Sequence, residues 1–494
     1  MITTRGHWFS DESGRTVLLR GVNLGGSSKV PFTPNGATYR SEGFFDTKNI
    51  SFVGRPFPLE EADEHFARIR AWGFNFLRFL ITWEAVEHEG PGKYDEDYLD
   101  YLYKIVKKAG EHGLNLFIDP HQDVWARFSG GDGAPGWTFD AVGMDITKIK
   151  ETGAAIVHQT LGDPYPRMVW ITNNHKYAAA TMYTLFFAGN DFAPQCKVNG
   201  VQVQEYLQSH YINAMKQVVQ KLKGLPNVVG YDTLNEPASG YVGFANLRVN
   251  FAEIQLGPSP TPWQSFQAAS GYPCKINVMT RQLAGSRKLG EETLNPKSVS
   301  LFNQGYQCPW LQHGVWQVDA SGQPTLMRPD YFTNVNGKAV SFNQDYFKPF
   351  AARYTQMVRS VDKDAMIFLE AVPNTHSPEY APGELSNTVY AVHWYDDMVL
   401  VLKRFFPWLG YDTLTDTIAF GAKKIRKVFA GTHAIVKREA IEKMGGIPTL
   451  IGEIGIPFDL NGRKAYKTGN FRDQERALDR SLKALDDNLL SYTL

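Results

Sequence analysis

An α/β fold closed as an eight-stranded TIM (β/α)8 barrel is what this sequence predicts, on three observations. Strand-like and helix-like segments alternate through most of the 494 residues, the pattern that a parallel sheet with crossover helices requires. Eight short apolar runs of strand type can be counted, enough to close a barrel. Several of them end in polar or charged residues, and in barrels the carboxyl ends of the strands carry the chemistry. The length admits two or three domains, but barrels with insertions often fill roughly 400 residues or more as one unit. A single catalytic barrel over residues 1–494 is therefore expected.

The elements follow in order. Trp8 and Phe9, a turn at 10–14 and an apolar run at 16–19 read as a hairpin that closes the barrel floor, assigned to residues 1–17. Strands are predicted at 18–25, 74–80, 114–119, 228–234, 365–370, 388–393, 449–453 and 491–494. Between them, residues 97–113 place Tyr98, Leu102, Ile105 and Ala109 on one helical face and stop at Gly113. Like faces recur in 60–72, with Ala62, Phe66 and Ile69, and in 206–222, with Leu207, Tyr211, Met215, Val218 and Leu222. Two connections are too long to be ordinary loops, 130–200 after the third strand and 238–343 after the fourth. The second carries Trp263, Phe266, Tyr272, Tyr306, Trp310 and Trp316 and reads either as a lid with its own small core or as a wall for substrate.

Composition removes several function classes. With 51 basic residues against 51 acidic ones, nothing draws the chain to a polyanion, and no nucleic acid partner is expected. Cys196, Cys274 and Cys308 are too few and too scattered for a disulfide framework or a CxxC metal site and read as free thiols. Residues 1–8 hold no apolar h-region and no later run reaches the length of a membrane span, so a cytoplasmic location is expected.

Two glutamates sit in near-matched settings, Glu236 after the run 228–235 and Glu453 after the run 449–452. A carboxylate at the end of a buried strand points out of an apolar floor into a cleft, and two of them point to glycoside hydrolysis, one as proton donor and one as nucleophile or base. Asn235 precedes Glu236 and suits a hydrogen bond to a sugar 2-OH, although Asn-Glu-Pro also fits a plain strand end followed by a turn. His121 and Asp123 close the third strand and suit sugar hydroxyls; a metal site is the competing reading, with no second His or Cys at ligand spacing. Arg78, inside an apolar strand, must meet a carboxylate, either Glu453 or one elsewhere in the core. His393 and Tyr395 share a side of the sixth strand's end, placed to tune the acid and orient the nucleophile, or to serve as satisfied interior groups.

Taken in order, Arg78, His121, Asn235-Glu236-Pro237, His393, Tyr395 and Glu453 resemble glycoside hydrolase family 5. By that resemblance Glu236 is the acid/base and Glu453 the nucleophile of a retaining double displacement, with no metal and no cofactor. Further matches at 19–26, 52–57, 120–123, 133–137 and 186–189 resemble the fungal endoglycoceramidase-related group. That group implies hydrolysis of the β-glucosidic bond of a glucolipid, glucosylceramide or a steryl β-glucoside, reached by transient membrane contact. Members of the group continue past the eighth strand with a sugar-stacking Trp and a β-sandwich. Here the sequence ends at Leu494, so a truncated eighth strand and no sandwich are expected. The rivals are an endo-β-glucanase of the same family and a catalytically silent carbohydrate- or lipid-binding protein. For the aglycone, the apolar runs 181–187 and 401–409 are the candidates, with at least one of Phe405, Phe406 and Trp408 expected at an opening beside Glu236.

Overall fold

The computed structural model describes residues 2–252, 254–282, 285–373 and 375–494. Residue 1 of the predicted hairpin and residues 253, 283 and 284 of the second long connection lie outside the described residues. Eight parallel strands form a closed barrel in chain order. They are β1 (Arg20–Leu24), β2 (Phe76–Thr82), β3 (Asn115–His121), β4 (Val228–Asp232), β5 (Met366–Leu369), β6 (Thr388–His393), β7 (Thr449–Glu453) and β8 (Ser491–Thr493). The last has three residues, yet it pairs with Leu450 and Ile451 on one side and with Arg20 and Gly21 on the other, so the ring is complete.

The principal helices are α1 (Ala62–Ala71), α2 (Glu96–Glu111), α3 (Tyr177–Phe192), α4 (Val203–Leu222), α5 (Lys348–Val361), α6 (Ala422–Glu442) and α7 (Arg472–Asp486). Every residue assigned to the apolar faces of α1, α2 and α4 from the sequence is buried. Inside the barrel, Phe76, Phe117, Phe368, Ala391 and Leu450 form an apolar plug, and Phe117 stacks on Phe368 with ring centres 3.9 Å apart. Phe9 and Leu19 join that plug from the amino-terminal side. The amino-terminal sheet has three strands where the turn pattern indicated two, because Thr3–Arg5 adds to the Trp8–Ser10 and Thr16–Val17 pair.

The two long connections pack into the body of the molecule. The connection after β3 contains α3, in which the run 181–187 is at most 1% exposed and is therefore core rather than a surface for ligand. The connection after β4 carries a three-stranded antiparallel sheet, Gly257–Ser259, Cys274–Gln282 and Gly285–Leu294. Its Phe266, Trp310 and Trp316 are fully buried, with Trp310 edge-on to Phe332 at 4.9 Å and Phe266 edge-on to Tyr177 of α3, so these aromatics extend the main core. The two connections meet where the Tyr306 ring covers Gly143, a residue at φ 77° whose added Cβ would come 2.1 Å from that ring. Cys196, Cys274 and Cys308 are free thiols. Among the described residues, no helix is long and apolar enough to cross a membrane.

Candidate active site

Strand periodicity builds the site directly above the apolar plug. Along β2, Phe76 is followed two residues later by Arg78; along β3, Phe117 by Asp119 and then His121; past β5, Phe368 by Glu370; along β6, Ala391 by His393. Each inward-facing row thus changes from apolar to ionisable as the strand approaches its carboxyl end. Between β6 and β7 the register shifts after Val392, which sets Glu453 opposite His393. Gly452 admits the imidazole, since a Cβ there would lie 3.1 Å from the His393 ring.

Arg78 is fully buried and gathers the layer around itself. Its guanidinium donates to Asn23 Oδ1 at 3.0 Å, Glu453 Oε1 at 2.8 Å, Asn235 Oδ1 at 2.7 Å and Glu370 Oε1 at 2.7 Å, and it lies 3.1 Å from Asp119 Oδ1. Tyr395 donates its hydroxyl to the other Glu453 oxygen at 2.7 Å. His393 bridges the acids, with Nδ1 2.9 Å from Glu236 Oε1 and Nε2 3.1 Å from Glu370 Oε1. One oxygen of Glu236, one of Glu453 and a His393 ring nitrogen all lie within 4.8 Å of one another.

Glu236 sits at φ 39°, a left-handed conformation that a residue with a Cβ holds only when its surroundings impose it. The imposing contacts are visible: its N–H donates to Glu370 Oε2 at 2.7 Å, and its carbonyl accepts from Gln122 Nε2 at 3.0 Å. Asn235 is fixed as firmly. Its N–H donates to the Pro120 carbonyl at 3.2 Å and its side-chain amide donates to the Gln122 carbonyl at 2.7 Å, which leaves one amide N–H to offer a ligand.

The two glutamates are biased in opposite directions. Burial raises Glu236 above the ordinary glutamate range, against the hydrogen bond and charge of His393. Burial alone would also raise Glu453, but His393 and Arg78, helped by His121 and Lys29, pull it far below that range. His393 is pushed down by burial yet held well above its ordinary value by Glu370 and Glu453. Beneath them, burial with the neighbouring Glu370 and Asp119 raises Asp232 well above the carboxylate range.

On the β3 side, His121 Nδ1 is 2.7 Å from Asp119 and Nε2 is 3.4 Å from Asp123. Burial and Lys29 oppose charge on His121, but the two aspartates outweigh them and raise it to about 10. Asp123 accepts from Lys29 Nζ at 2.6 Å, and Asp132, pushed up to about 8 by burial, lies 3.9 Å from the same ammonium. His121, Asp123 and Asp132 stand close enough together to hold an ion, but Lys29 already supplies their positive charge. A cavity of about 760 Å³ opens beside this group, and its lining includes Lys29, Asp123, Asp132, Arg55 and His158 together with Val30, Tyr165 and Trp170.

All eight residues singled out from the sequence, Arg78, His121, Asp123, Asn235, Glu236, His393, Tyr395 and Glu453, therefore lie in one connected network. Sequence reading missed Glu370, Lys29, Gln122 and Tyr183, whose hydroxyl donates to Gln122 Oε1. Glu370 was legible in principle: it continues the inward row of Met366 and Phe368 as His393 continues that of Val389 and Ala391. Lys29 lies in an irregular loop with no period to follow. The 401–409 run is divided, with Phe406 half-buried between its two neighbours. Phe405 packs with Val399, Leu460 and Ala477 in a satellite core, while Trp408 is 54% exposed and turned outward.

Comparison with known proteins agrees with this geometry. Residues 35–250 match the cellulase family, glycosyl hydrolase family 5. The chain is 40% identical to a glucosylceramidase of Rhizopus delemar, over 99% of this chain and 74% of that protein. It is 33% identical to an ergosteryl-beta-glucosidase of Saccharomyces cerevisiae, over 98% of this chain and 71% of that protein. The crystal structure of Cryptococcus neoformans sterylglucosidase 1 superposes with a TM-score of 0.95 at 33% identity, covering 100% of this chain and 76% of that one.

The contacts of Glu370 generate a prediction. Glu370→Gln keeps an acceptor for the Glu236 N–H but removes the charge facing Arg78 and His393, so Glu236 should be misplaced without loss of the pocket. We expect kcat on a soluble aryl β-glucoside to fall about a hundredfold with KM nearly unchanged. Steady-state kinetics of the folded variant check this, and a fall confined to KM would contradict it.

Proposed function

The chain belongs to glycosyl hydrolase family 5, and from that premise we propose how this glycoside hydrolase works: as a retaining β-glucosidase of glucolipids, with Glu236 as acid/base and Glu453 as nucleophile. The observation that carries this reading is the close approach of two carboxylates with opposite protonation bias. Retaining enzymes need the two groups about 5 to 5.5 Å apart, whereas inverting ones leave about 6.5 to 9.5 Å for a water.

In the first step an oxygen of Glu453 attacks the anomeric carbon, the bond to the aglycone oxygen breaks, and Glu236 gives that oxygen its proton. In the second, Glu236 takes a proton from water as the water oxygen attacks the same carbon, which releases Glu453 and glucose in the β configuration. Tyr395 and Arg78 hold the two oxygens of Glu453, so the attacking carboxylate is oriented before substrate arrives. Asp123 and Lys29, which line the 760 Å³ cavity, and His121 beside Asp123 are suited to sugar hydroxyls. Val30, Tyr165 and Trp170 in the lining of that cavity offer the apolar surface that a lipid aglycone needs beside a polar sugar. The likeness to a glucosylceramidase and an ergosteryl-beta-glucosidase supports the same substrate class.

Three outcomes test this reading. Glu453→Gln should abolish turnover of all β-glucosides, whereas Glu236→Ala should retain the first step for an aryl glucoside with a good leaving group and, with added azide, release β-glucosyl azide. An α-azide product would refute retention.

The pH profile follows from the signs of the shifts. Glu453 acts deprotonated and its value is lowered, so kcat/KM should hold to well below pH 4.5 before falling; Glu236 acts protonated and its value is raised, so the alkaline limb should lie above that point. Measured on a substrate that needs protonation, the alkaline limb should shift when His393 is replaced by Gln, since His393 is the titrating neighbour of Glu236.

For substrate, product analysis on detergent-dispersed glucosylceramide and steryl glucoside side by side should show glucose released from at least one. Turnover of soluble β-glucans with neither lipid cleaved would favour the endo-glucanase alternative.

A further inference from the structure

Ten large apolar side chains are more than half exposed among the described residues, and five of them, Trp408, Ile418, Phe420, Phe458 and Tyr466, lie in the two loops that follow β6 and β7. The first of these loops forms a hairpin, Leu409–Asp412 paired with Thr417–Phe420. Its inner face is fixed to α6, because Gly410 lies so close to Ile425 that an added Cβ would come within 2.7 Å, and Ala419 opposite Gly410 is buried. The other side is left with Ile418 and Phe420 in water, and Trp408 lies nearly parallel to Phe420 at 12° with ring centres 6.4 Å apart. The second loop is tied to the first by the Lys403–Asp459 ion pair at 3.0 Å and by the Asn461 N–H to the Lys403 carbonyl at 2.9 Å, which brings in Phe458 beside Asp459. Soluble proteins seldom leave so many aromatics together in water without a use.

Charge distinguishes this rim from a plain apolar patch. From Thr417 to Lys427 the sequence has Lys423, Lys424, Arg426 and Lys427 and no Asp or Glu, in a chain whose charges cancel overall, and of these Arg426 pairs with Asp487 at 2.6 Å. Lys423 and Lys424 are exposed in the first turn of α6, where the helix dipole disfavours cations and where no acidic residue offsets them. They are therefore poorly explained as helix stabilisers. Because α6 runs back from the carboxyl ends of the strands, its first turn lies at the same end of the barrel as Glu236 and Glu453.

Exposed aromatics beside unpaired lysines at the catalytic end of a barrel read as acting on lipid glucosides match the chemistry of an anionic bilayer, whose headgroup layer accepts Trp and Phe and attracts Lys. We propose that the rim formed by the 409–420 hairpin, the first turn of α6 and the loop after β7 is a docking surface for anionic phospholipid membranes. The proposal rests on the lipid-glucoside reading for its purpose but not for its test.

The full chain is sedimented with vesicles of phosphatidylcholine alone and of phosphatidylcholine with phosphatidylserine. The expected result is binding to the mixed vesicles that weakens with salt. The paired substitutions Trp408→Ser with Phe420→Ser, and Lys423→Glu with Lys424→Glu, should each reduce it about tenfold. Both variants should hydrolyse a soluble aryl β-glucoside at the parent rate, which shows that they are folded, and should lose activity only on vesicle-embedded glucolipid. Parent protein that ignores mixed vesicles, or variants that bind them as the parent does, would overturn the proposal. So would parent self-association in light scattering that the variants lose while keeping vesicle binding, because the rim would then meet a second copy. If detergent-dispersed glucolipids are not cleaved but the variants still lose vesicle binding, the substrate reading fails and the docking surface stands.

Discussion

The buried guanidinium of Arg78 is the interaction on which the rest of the site depends. It ties β2 to residues delivered from β1, β3, β4, β5 and β7 through Asn23, Asp119, Asn235, Glu370 and Glu453. A cation at the centre of a barrel is tolerable only if its partners are fixed, and withdrawing one partner from such a pair typically destabilises a protein by about 3–5 kcal/mol. The charges around it come close to balance. Arg78, His121 and His393 face Asp119, Glu370 and Glu453, while Asp232 and Glu236 are both driven toward the neutral acid. Lys29 and Asp123 form a further pair at the rim. The upward shift of Glu236 thus runs in the same direction as the chemistry proposed for it.

Much of this architecture is legible in the sequence because it depends on periodicity. The eight strands are short apolar runs, the helical faces repeat at the helical period, and both glutamates end such runs, so local pattern is enough to find them. What local pattern does not carry is which strand ends converge. Arg78 was bound to need a carboxylate, but that it would take Glu370 as well as Glu453 depends on closure of the ring through β8, a contact between residues more than four hundred positions apart. Lys29 lay beyond reach for a related reason, since its loop has no period and its partners Asp123 and Asp132 follow a different strand.

The apolar runs show the complementary gap. A sequence displays hydrophobicity but not the direction in which it is spent. The run 181–187 and Phe405 became core, and Phe266, Trp310 and Trp316 of the second long connection joined the main core, while Trp408 faces water. Tyr183 shows how little separates the two outcomes. It sits in a fully buried apolar run, yet its hydroxyl holds Gln122, whose amide holds the carbonyls of Asn235 and Glu236. A core tyrosine thereby supports the backbone of Glu236, the proposed acid/base.

That support explains how a strained residue can occupy a site requiring accuracy. At φ 39° Glu236 has no intrinsic preference for the geometry it adopts, so its direction is set by its neighbours. Glu370 holds its N–H, Gln122 its carbonyl and His393 its carboxylate. Glu370 also holds Arg78, which holds Glu453, so Glu236 and Glu453 are positioned from one shared carboxylate, Glu370 Oε1 acting through Arg78 and Oε2 on the Glu236 backbone. The separation of the two carboxylates is therefore fixed by a carboxylate that does neither of their jobs, and its place at the end of β5, between the strands carrying Glu236 and His393, is what lets it reach both.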